Sequence, residues 1–353
     1  MVFDSKRRFL AIGLYDPESP IRIKILHHGA PATIDDAFWA ARISAAVRRR
    51  APLEADPGTN GFRLVNGEND GLGGLIVDRY DTTVVVKVYS SAWFPHLDPI
   101  LAAIDDEVAP DRIVMRLSRL VQRSANATVD DGDTVFGPAP TASIPFLEHG
   151  LTFTADVVGG QKTGHFLDQR DNRATVRRLA GDTDVLDVFS CTGGFAVHAA
   201  AGGARSVHRI DISPSAIALG DANIAANPSS CRHESTTADA FDALAELASS
   251  GRSFDIVVVD PPSFAKRQTE VDGALAAYSR LTNAGLRVLR PGGLLVQASC
   301  SSRVTPQAFE QAVSEAAQRS GRPLDVVQRT GHALDHPATF PEGHYLKALY
   351  ARA

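Results

Sequence analysis

From Asp184 onward the chain alternates short apolar runs with helix-patterned segments, and this alternation restricts the fold more than any other feature. DVLDVF, SVHRIDI, FDIVVVD and GGLLVQASC read as strands, while FAVHAAAGG, PSAIALGDANIAAN and GALAAYSRLTNAGLRVL carry helical spacing. Strands interleaved with helices specify a parallel, doubly wound sheet, because the crossovers cover both of its faces. Such sheets bind ligands outside the carboxyl ends of their strands, where the strand order reverses. Each polar signature of this region falls at one of those ends.

Upstream the pattern differs. RRFLAIGLY and IRIKIL are strand-like runs parted by the turn signal DPESP. IDDAFWAARISAAVRRR has helical spacing, with Ile34, Phe38, Ala41 and Ala45 expected on the apolar face. FRLVNGENDGLGGLIVDRY reads as a glycine-turned hairpin, TTVVVKVYS as a β-branched strand, Leu97–Asp106 as a helix and RIVMRLS as another strand. Ala125–Pro140 is rich in Asp, Gly and Pro and reads as a loop or hairpin tip. The expected architecture is therefore α/β: a small α+β domain over 31–155, preceded by a β segment over 1–30 and followed by a doubly wound, mostly parallel sheet over 156–353.

Composition narrows the function. The chain has 353 residues, long enough for two or three domains. No apolar run approaches the roughly 20 residues that span a bilayer, and the N-terminus lacks the apolar core of a signal peptide. Three cysteines without CxxC spacing argue against a disulfide framework or a zinc site, so no metal is expected and the cytoplasm is the expected compartment. The net charge is −5, but Met1–Arg50 holds nine Lys/Arg against five Asp/Glu and ends in Arg48-Arg49-Arg50. Local basic patches govern attraction to phosphates more than net charge does; a solvated helix end is the alternative reading of the three arginines.

The first strand of the alternating region runs into Asp187-Val188-Phe189-Ser190-Cys191-Thr192-Gly193-Gly194-Phe195. Two glycines let the backbone pass close to a ligand, just before a helix N-terminus. The GxGxxG dinucleotide fingerprint is absent, which counts against NAD. The second strand ends at Asp211, where an acid can accept hydrogen bonds from both hydroxyls of a ribose. Asp239 follows the third strand, where a carboxylate can meet an adenine amino group.

Asp260-Pro261-Pro262-Ser263-Phe264 ends the fourth strand. Two prolines after a buried strand fix an extended exit without amide donors, suited to holding a flat base, with Asp260 at the ring edge. The fifth strand ends in Ser299-Cys300-Ser301-Ser302. A cysteine at this edge suits a target carbon that is a poor nucleophile, such as carbon-5 of cytosine: a thiolate adds to carbon-6, and carbon-5 becomes enamine-like. A free thiol titrates near about 8.5, so the site must favour the thiolate with nearby positive charge or hydrogen bonds. Cys191 and Cys231 are expected to be bystanders. Gly159-Gly160-Gln161-Lys162-Thr163-Gly164-His165-Phe166-Leu167-Asp168-Gln169-Arg170-Asp171-Asn172-Arg173 can cover a cofactor or grip phosphates, or form a charged helix start on the surface.

The stretches GGQKTGHFLDQRDNR, DVFSCTGGFAV, DPPSF, ASCS and the closing DHPATFPEGHYLK together resemble the bacterial large-subunit (23S) ribosomal RNA cytosine carbon-5 methyltransferase family. The likeness is specific from about Asp156 onward and weaker but continuous before it. That family joins an N-terminal PUA RNA-binding domain, a small central α+β domain and a Rossmann-like, S-adenosylmethionine-dependent methyltransferase domain, which implies a seven-stranded, mostly parallel sheet here. Carried over by motif, the resemblance implies that Lys162, Thr163, Phe166 and Asp168 help enclose S-adenosylmethionine. Asp187, Phe189, Ser190, Gly193, Asp211 and Asp239 would hold it. Asp260 would contact the base, Pro261 and Pro262 would shape the base site, Arg170 and Arg173 would contact RNA, and Cys300 would be the nucleophile. Pro262 stands where two-cysteine RNA methyltransferases place a second thiol, so one catalytic cysteine fits.

The sequence departs from the family in two places: it begins inside what resembles the PUA domain, so about half that module is expected to be missing, and the region around Arg112–Ala139 is shorter. The expected partners are RNA, foremost 23S rRNA, and no membrane, with a homodimer left open. Competing readings are a methyltransferase for an exocyclic amine of RNA, a cofactor-binding assembly factor without turnover and a small-molecule methyltransferase. The amine enzymes carry an aromatic ring where Ser263 stands here, and the basic N-terminal region weighs against a small substrate.

Overall fold

The computed structural model describes all residues from Met1 to Ala353, which divide into two compact units: Met1–Leu167 with Leu334–Thr339, and Asp168–Ala333 with Phe340–Ala353. Residues 156–167 thus fall in the first unit.

The first unit opens with a three-stranded antiparallel sheet of β1 (Val2–Phe3), β2 (Phe9–Tyr15) and β3 (Ile23–His28). Leu14 and Leu26 turn inward and join the main core of the unit, and Ser90 Oγ donates to the Asp16 carboxylate at 2.5 Å. The amino-terminal strands therefore pack on the rest of the unit. Helix α1 (Asp36–Arg49) starts where the Asp35 carboxylate accepts the Phe38 amide at 2.9 Å, an N-cap that satisfies an otherwise orphan donor. Its buried face is Trp39, Ile43 and Ala46, not the stripe Ile34, Phe38, Ala41 and Ala45 expected from spacing: Ala41 is exposed and the others only half-buried. Both stripes have the 3.6 period, and the large Trp39 ring, packed edge-on against Trp93 at 5.7 Å, decides between them.

After the short helix α2 (Ala51–Glu54) comes a five-stranded sheet in sequential order: β4 (Gly61–Asn66), β5 (Leu75–Tyr80), β6 (Thr83–Val88), β7 (Arg112–Leu117) and β8 (Thr134–Phe136). Helix α3 (Leu97–Val108) crosses between β6 and β7, which pair in parallel, and α1 and α3 pack together. The segment 125–140, expected as a loop or hairpin tip, contributes β8, which pairs antiparallel with β7 at the edge. Strands β9 (Ile144–Glu148) and β10 (Leu151–Ala155) form a separate antiparallel ribbon.

Arg50, one of the three arginines expected to form a basic patch, is buried instead. Its guanidinium holds Asp70 through two bonds of 2.7 and 2.8 Å, and the side chains are 1% and 0% exposed. It also donates to the carbonyls of Ala46, Arg63 and Asp335. Only Arg48 and Arg49 of the run reach solvent.

The second unit begins with α4 (Arg170–Leu179) and then builds a seven-stranded sheet. In chain order its elements are β11 (Asp184–Val188), α5 (Gly194–Ala201), β12 (Ser206–Asp211), α6 (Pro214–Ala225), β13 (Arg232–Thr237), α7 (Ala240–Ser249), β14 (Phe254–Val259), α8 (Val271–Val288), β15 (Leu289–Ser299), α9 (Pro306–Arg319), β16 (Asp325–Thr330) and β17 (Lys347–Arg352). The spatial order is β13-β12-β11-β14-β15-β17-β16, parallel from β13 to β15 and antiparallel through β17 and β16. This is the α/β fold expected from the sequence. The central strands are apolar along their length because helices cover both faces, whereas the edge strand β13 (RHESTT) is polar and exposed. The order reverses between β11 and β14, the kind of switch point beside which such sheets bind ligands.

Breaking the buried Arg50–Asp70 pair leaves a buried carboxylate with Arg49 as its one remaining cation and the Asn66 amide, at 2.7 Å, as its other donor. Arg50→Met is expected to destabilise the protein by about 3 kcal/mol in urea unfolding, and adding Asp70→Leu is expected to recover most of the loss, because burying two charges is itself costly.

Candidate functional site

The two edges of the seven-stranded sheet handle charge differently. At the amino edge, Asp184 and Asp255 are clasped by Arg205 and Arg290 at 2.6 to 3.0 Å. Burial pushes Asp184 upward, but the hydrogen bonds from Arg205, Ser206 and Arg290 outweigh it and bring the carboxyl down to about 2. At the carboxyl edge, Asp187 and Asp211 have no such partners and instead gather backbone amides.

Asp187 is fully buried in β11; its Oδ2 accepts the Ala196 amide at 3.1 Å, and its Oδ1 has no hydrogen-bond partner within the chain. Burial pushes the carboxyl up to about 7; Arg209 and the Ala196 amide pull the other way, and the charges of Asp260 and Asp211 add to the rise. The next residues carry backbone strain. Phe189 has φ 63°, Cys191 has φ 46° and Gly193 has φ 78°. Two non-glycine residues held left-handed within three positions are costly, and such strain concentrates at functional sites. Asp211 fixes the loop from the side, its Oδ2 accepting the Cys191 amide at 2.8 Å and its Oδ1 the Ser213 amide at 2.9 Å. The hydroxyl of buried Ser190 has no partner. Gly193 is the N-cap of α5, and a Cβ on Gly194 would lie 2.6 Å from Arg173 Cδ, so the glycine pair serves both the turn and the packing behind it.

Asp239 caps α7, its Oδ1 accepting the amides of Phe241 and Asp242 at 2.8 and 3.4 Å while the carboxylate stays exposed. Asp168 accepts the Tyr345 hydroxyl at 2.8 Å. Arg170 and Arg173 are 0% and 3% exposed. A guanidinium that grips phosphate must be reachable, and these two are packed inside α4, so neither the surface-helix reading nor an RNA grip fits them.

The expected loop residues Lys162, Thr163 and Phe166 belong to the first unit. There Lys162, at φ 53°, sets its ammonium 4.0 Å over the Phe166 ring. Thr163 is 1% exposed; its hydroxyl donates to Asp78 at 2.6 Å and pairs with Tyr80 at 3.1 Å. Thr163 is a pin within that unit.

Asp260 follows β14, its amide bonded to the Val188 carbonyl at 3.3 Å, so the DPPSF loop leaves the sheet beside the glycine loop. Pro261 is buried and Pro262 exposed. Cys300 follows β15, half-buried, with its Sγ 3.8 Å from the Pro261 carbonyl. Ser301 ties these two loops together. Its Oγ accepts the amides of Phe264 and Ala265 at 3.2 and 3.3 Å, lies 3.3 Å from Ser263 Oγ, and pairs with the Tyr278 hydroxyl at 2.9 Å, which also meets Ser299 Oγ at 2.8 Å. The other cysteines are poorly suited to attack: burial pushes Cys191 up to about 11, and Cys231 lies before β13 at the amino edge, also raised by burial.

Sequence reasoning missed three side chains. Arg209, fully buried in β12, donates to the Ile217 carbonyl at 3.0 Å and pairs with Asp221, leaving Nε and Nη1 without partners. It lies under the glycine loop: a Cβ on Gly193 would be 3.2 Å from its Nη1 and one on Gly220 only 1.9 Å away. Lys347 and Tyr278 are the others. The signal was a charged residue inside an apolar strand, SVHRIDI and LKALYAR.

The sequence model of a family described as S-adenosylmethionine-dependent methyltransferase matches residues 118–352. A Deinococcus radiodurans protein named ribosomal RNA large subunit methyltransferase is 47% identical over 99% of this chain and 87% of its own length. A Klebsiella pneumoniae protein named ribosomal RNA large subunit methyltransferase I is 34% identical over 99% and 88%. Among solved structures, one assigned as a methyltransferase and complexed with SAH superposes with a TM-score of 0.88 over 99% of this chain and 90% of that one, a likeness of fold at 22% identity.

The raised Asp187 sets a stability test. In the unfolded chain an Asp titrates near about 3.9, so between that value and about 7 the folded state holds the extra proton and loses stability as pH rises. In thermal melts without ligand, the advantage of Asp187→Asn over the wild type is expected to grow from pH 4 to pH 7 and then level off; a difference that does not vary with pH refutes the assignment.

Proposed function

Since the chain belongs to the S-adenosylmethionine-dependent methyltransferases, we propose that it forms 5-methylcytosine in large-subunit ribosomal RNA through a covalent adduct at Cys300. The observation that carries this reading is the position of the Cys300 thiol at the end of β15, against the DPPSF loop and one strand beyond the switch between β11 and β14. The names of the relatives support the RNA class, and the cysteine supports the atom.

The carboxyl edge fits the cofactor. S-adenosylmethionine carries a sulfonium and an ammonium, and the edge offers them Asp187 and Asp211, neither of them held in a salt bridge. The orphaned Asp187 Oδ1 and Ser190 Oγ are buried polar atoms of the kind that a ligand satisfies. Asp211 is suited to the ribose, the exposed Asp239 carboxylate to the adenine amine, and the strained turn through Phe189 and Gly193 to close backbone approach. Asp168 is the further candidate contact from this unit. When bound, S-adenosylmethionine supplies an electrophilic methyl group.

The chain's own residues do the rest. The Cys300 thiolate adds to carbon-6 of cytosine, and the electron pair of the carbon-5–carbon-6 double bond moves to carbon-5, which becomes nucleophilic. After carbon-5 is methylated, loss of its proton restores the double bond and expels the Cys300 thiolate. Asp260 is placed to hydrogen-bond the ring edge, and Pro261 and Pro262 hold the loop extended. Adjacent strands lie about 4.8 Å apart, so the β11 and β15 exits are about 10 Å apart across β14. A ring attacked on one face and methylated from the other needs two reactive gaps of about 3–3.5 Å, which this spacing accommodates. For the remaining segments, residues 1–30 are the proposed RNA-binding part, a PUA-like segment, with 31–155 as the central domain and 156–353 as the methyltransferase domain. No helix is long and apolar enough to cross a membrane, and a ribosomal RNA substrate implies work in the cytoplasm.

Cys300→Ala is expected to abolish tritium transfer from labelled S-adenosylmethionine to rRNA while leaving calorimetric affinity for the cofactor within about twofold. Undiminished turnover in that variant would refute the covalent route and favour an exocyclic amine as the target. Asp211→Ala is expected to weaken cofactor binding by tenfold or more, since two hydrogen bonds to a charged acceptor are lost together; equal affinity would remove the ribose role.

A further inference from the structure

Lys347 opens β17 directly opposite Ser299, the residue before Cys300. It is 6% exposed, and its ammonium is matched by no carboxylate. All three of its donors are spent on backbone carbonyls: Ser301 at 2.6 Å, Val304 at 2.6 Å and Tyr345 at 3.1 Å. Two of those carbonyls belong to the turn that follows Cys300. A buried ammonium without a counter-charge is expensive, and three carbonyl dipoles offset only part of that expense. The charged and titratable groups near the thiol include Lys347 on β17, Asp260 after β14 and the Tyr278 phenol on α8. Asp260 disfavours a thiolate, and burial keeps the Tyr278 phenol neutral. Lys347 is the cation of this group.

We propose that Lys347 is a positioning residue for Cys300: it staples the turn after the cysteine and supplies a fixed positive charge that favours the thiolate. This rests on the reading of Cys300 as the nucleophile. With its donors committed to carbonyls, Lys347 has no hydrogen left for the thiolate or for substrate, so it acts through charge and geometry and takes no part in proton transfer. Burial lowers its ammonium to about 8, while a thiolate at Cys300 acts in the opposite direction. The ammonium thus remains protonated at neutral pH, where the thiolate is needed, and each charge favours the other.

The test is the pH dependence of iodoacetamide alkylation at Cys300 in the full chain, followed by mass spectrometry of the Cys300 peptide. The wild-type midpoint is expected below the ordinary thiol value of about 8.5. Lys347→Met is expected to raise it by about one unit or more, and Lys347→Arg to keep it near wild type. Methyl transfer by Lys347→Met is expected to fall about tenfold at pH 7 and to recover toward pH 9, with cofactor affinity unchanged. A wild-type midpoint at or above 8.5 overturns the inference without any variant, and so does an unchanged midpoint in folded Lys347→Met. Cys300→Ala separates the two claims. If that variant still methylates RNA, the nucleophile reading fails, whatever the alkylation midpoint shows about Lys347.

Discussion

The catalytic-domain architecture depends on how one parallel sheet distributes charge between its ends. At the amino edge the carboxylates of Asp184 and Asp255 are locked to Arg205 and Arg290 and serve the fold. At the carboxyl edge Asp187 accepts the Ala196 amide in the first turn of α5 and Asp211 the Cys191 amide of the glycine loop, and neither carboxylate forms a salt bridge. Burial raises the Asp187 carboxyl to about 7, far above a free aspartate, and the negative charges of Asp260 and Asp211 add repulsion to that rise. A cationic methyl donor relieves that repulsion, so the penalty in the empty state is also a source of selectivity for the ligand.

Rigidity at this edge comes from polar side chains that the chemistry itself does not consume. Ser301, buried with Tyr278 and Ser299, joins the DPPSF loop to the cysteine turn through four contacts on one hydroxyl. Lys347 closes the same turn from the neighbouring strand. Arg209 fills the space under the glycine loop, where Gly220 has no side chain in its way. Preorganised groups of this kind lower the reorganisation needed during reaction, so the loops need not move to bring thiol and base together.

Much of this was legible in the sequence. The strand and helix alternation from Asp184 gives the parallel part of the sheet, and the polar residues at or near strand ends give Asp187, Asp211, Asp260 and Cys300 in their observed order. Three features were not legible. The period of α1 admits two apolar stripes, and only the packing of Trp39 selects one. Arg50, Arg170 and Arg173 read as surface charge, but each is buried by contacts distant in sequence or by packing that no local pattern encodes. Lys347 stood in plain view in HYLK without an assigned role, since its proximity to Cys300 arises from the antiparallel pairing of β17 with β15, a turn of topology that follows almost 50 residues later in the chain.

The central claim is that sulfur and cytosine carbon-6 are joined during turnover. The most direct measurement uses large-subunit rRNA carrying 5-fluorocytidine, incubated with S-adenosylmethionine and resolved under denaturing conditions, followed by mass spectrometry of the protein. Fluorine at carbon-5 leaves no proton to lose, so the thiol cannot be expelled. The account predicts a stable protein–RNA adduct mapped to Cys300, carrying one added methyl group. Turnover of ordinary rRNA with no adduct on the fluorinated RNA, or an adduct at Cys191 or Cys231, would contradict it.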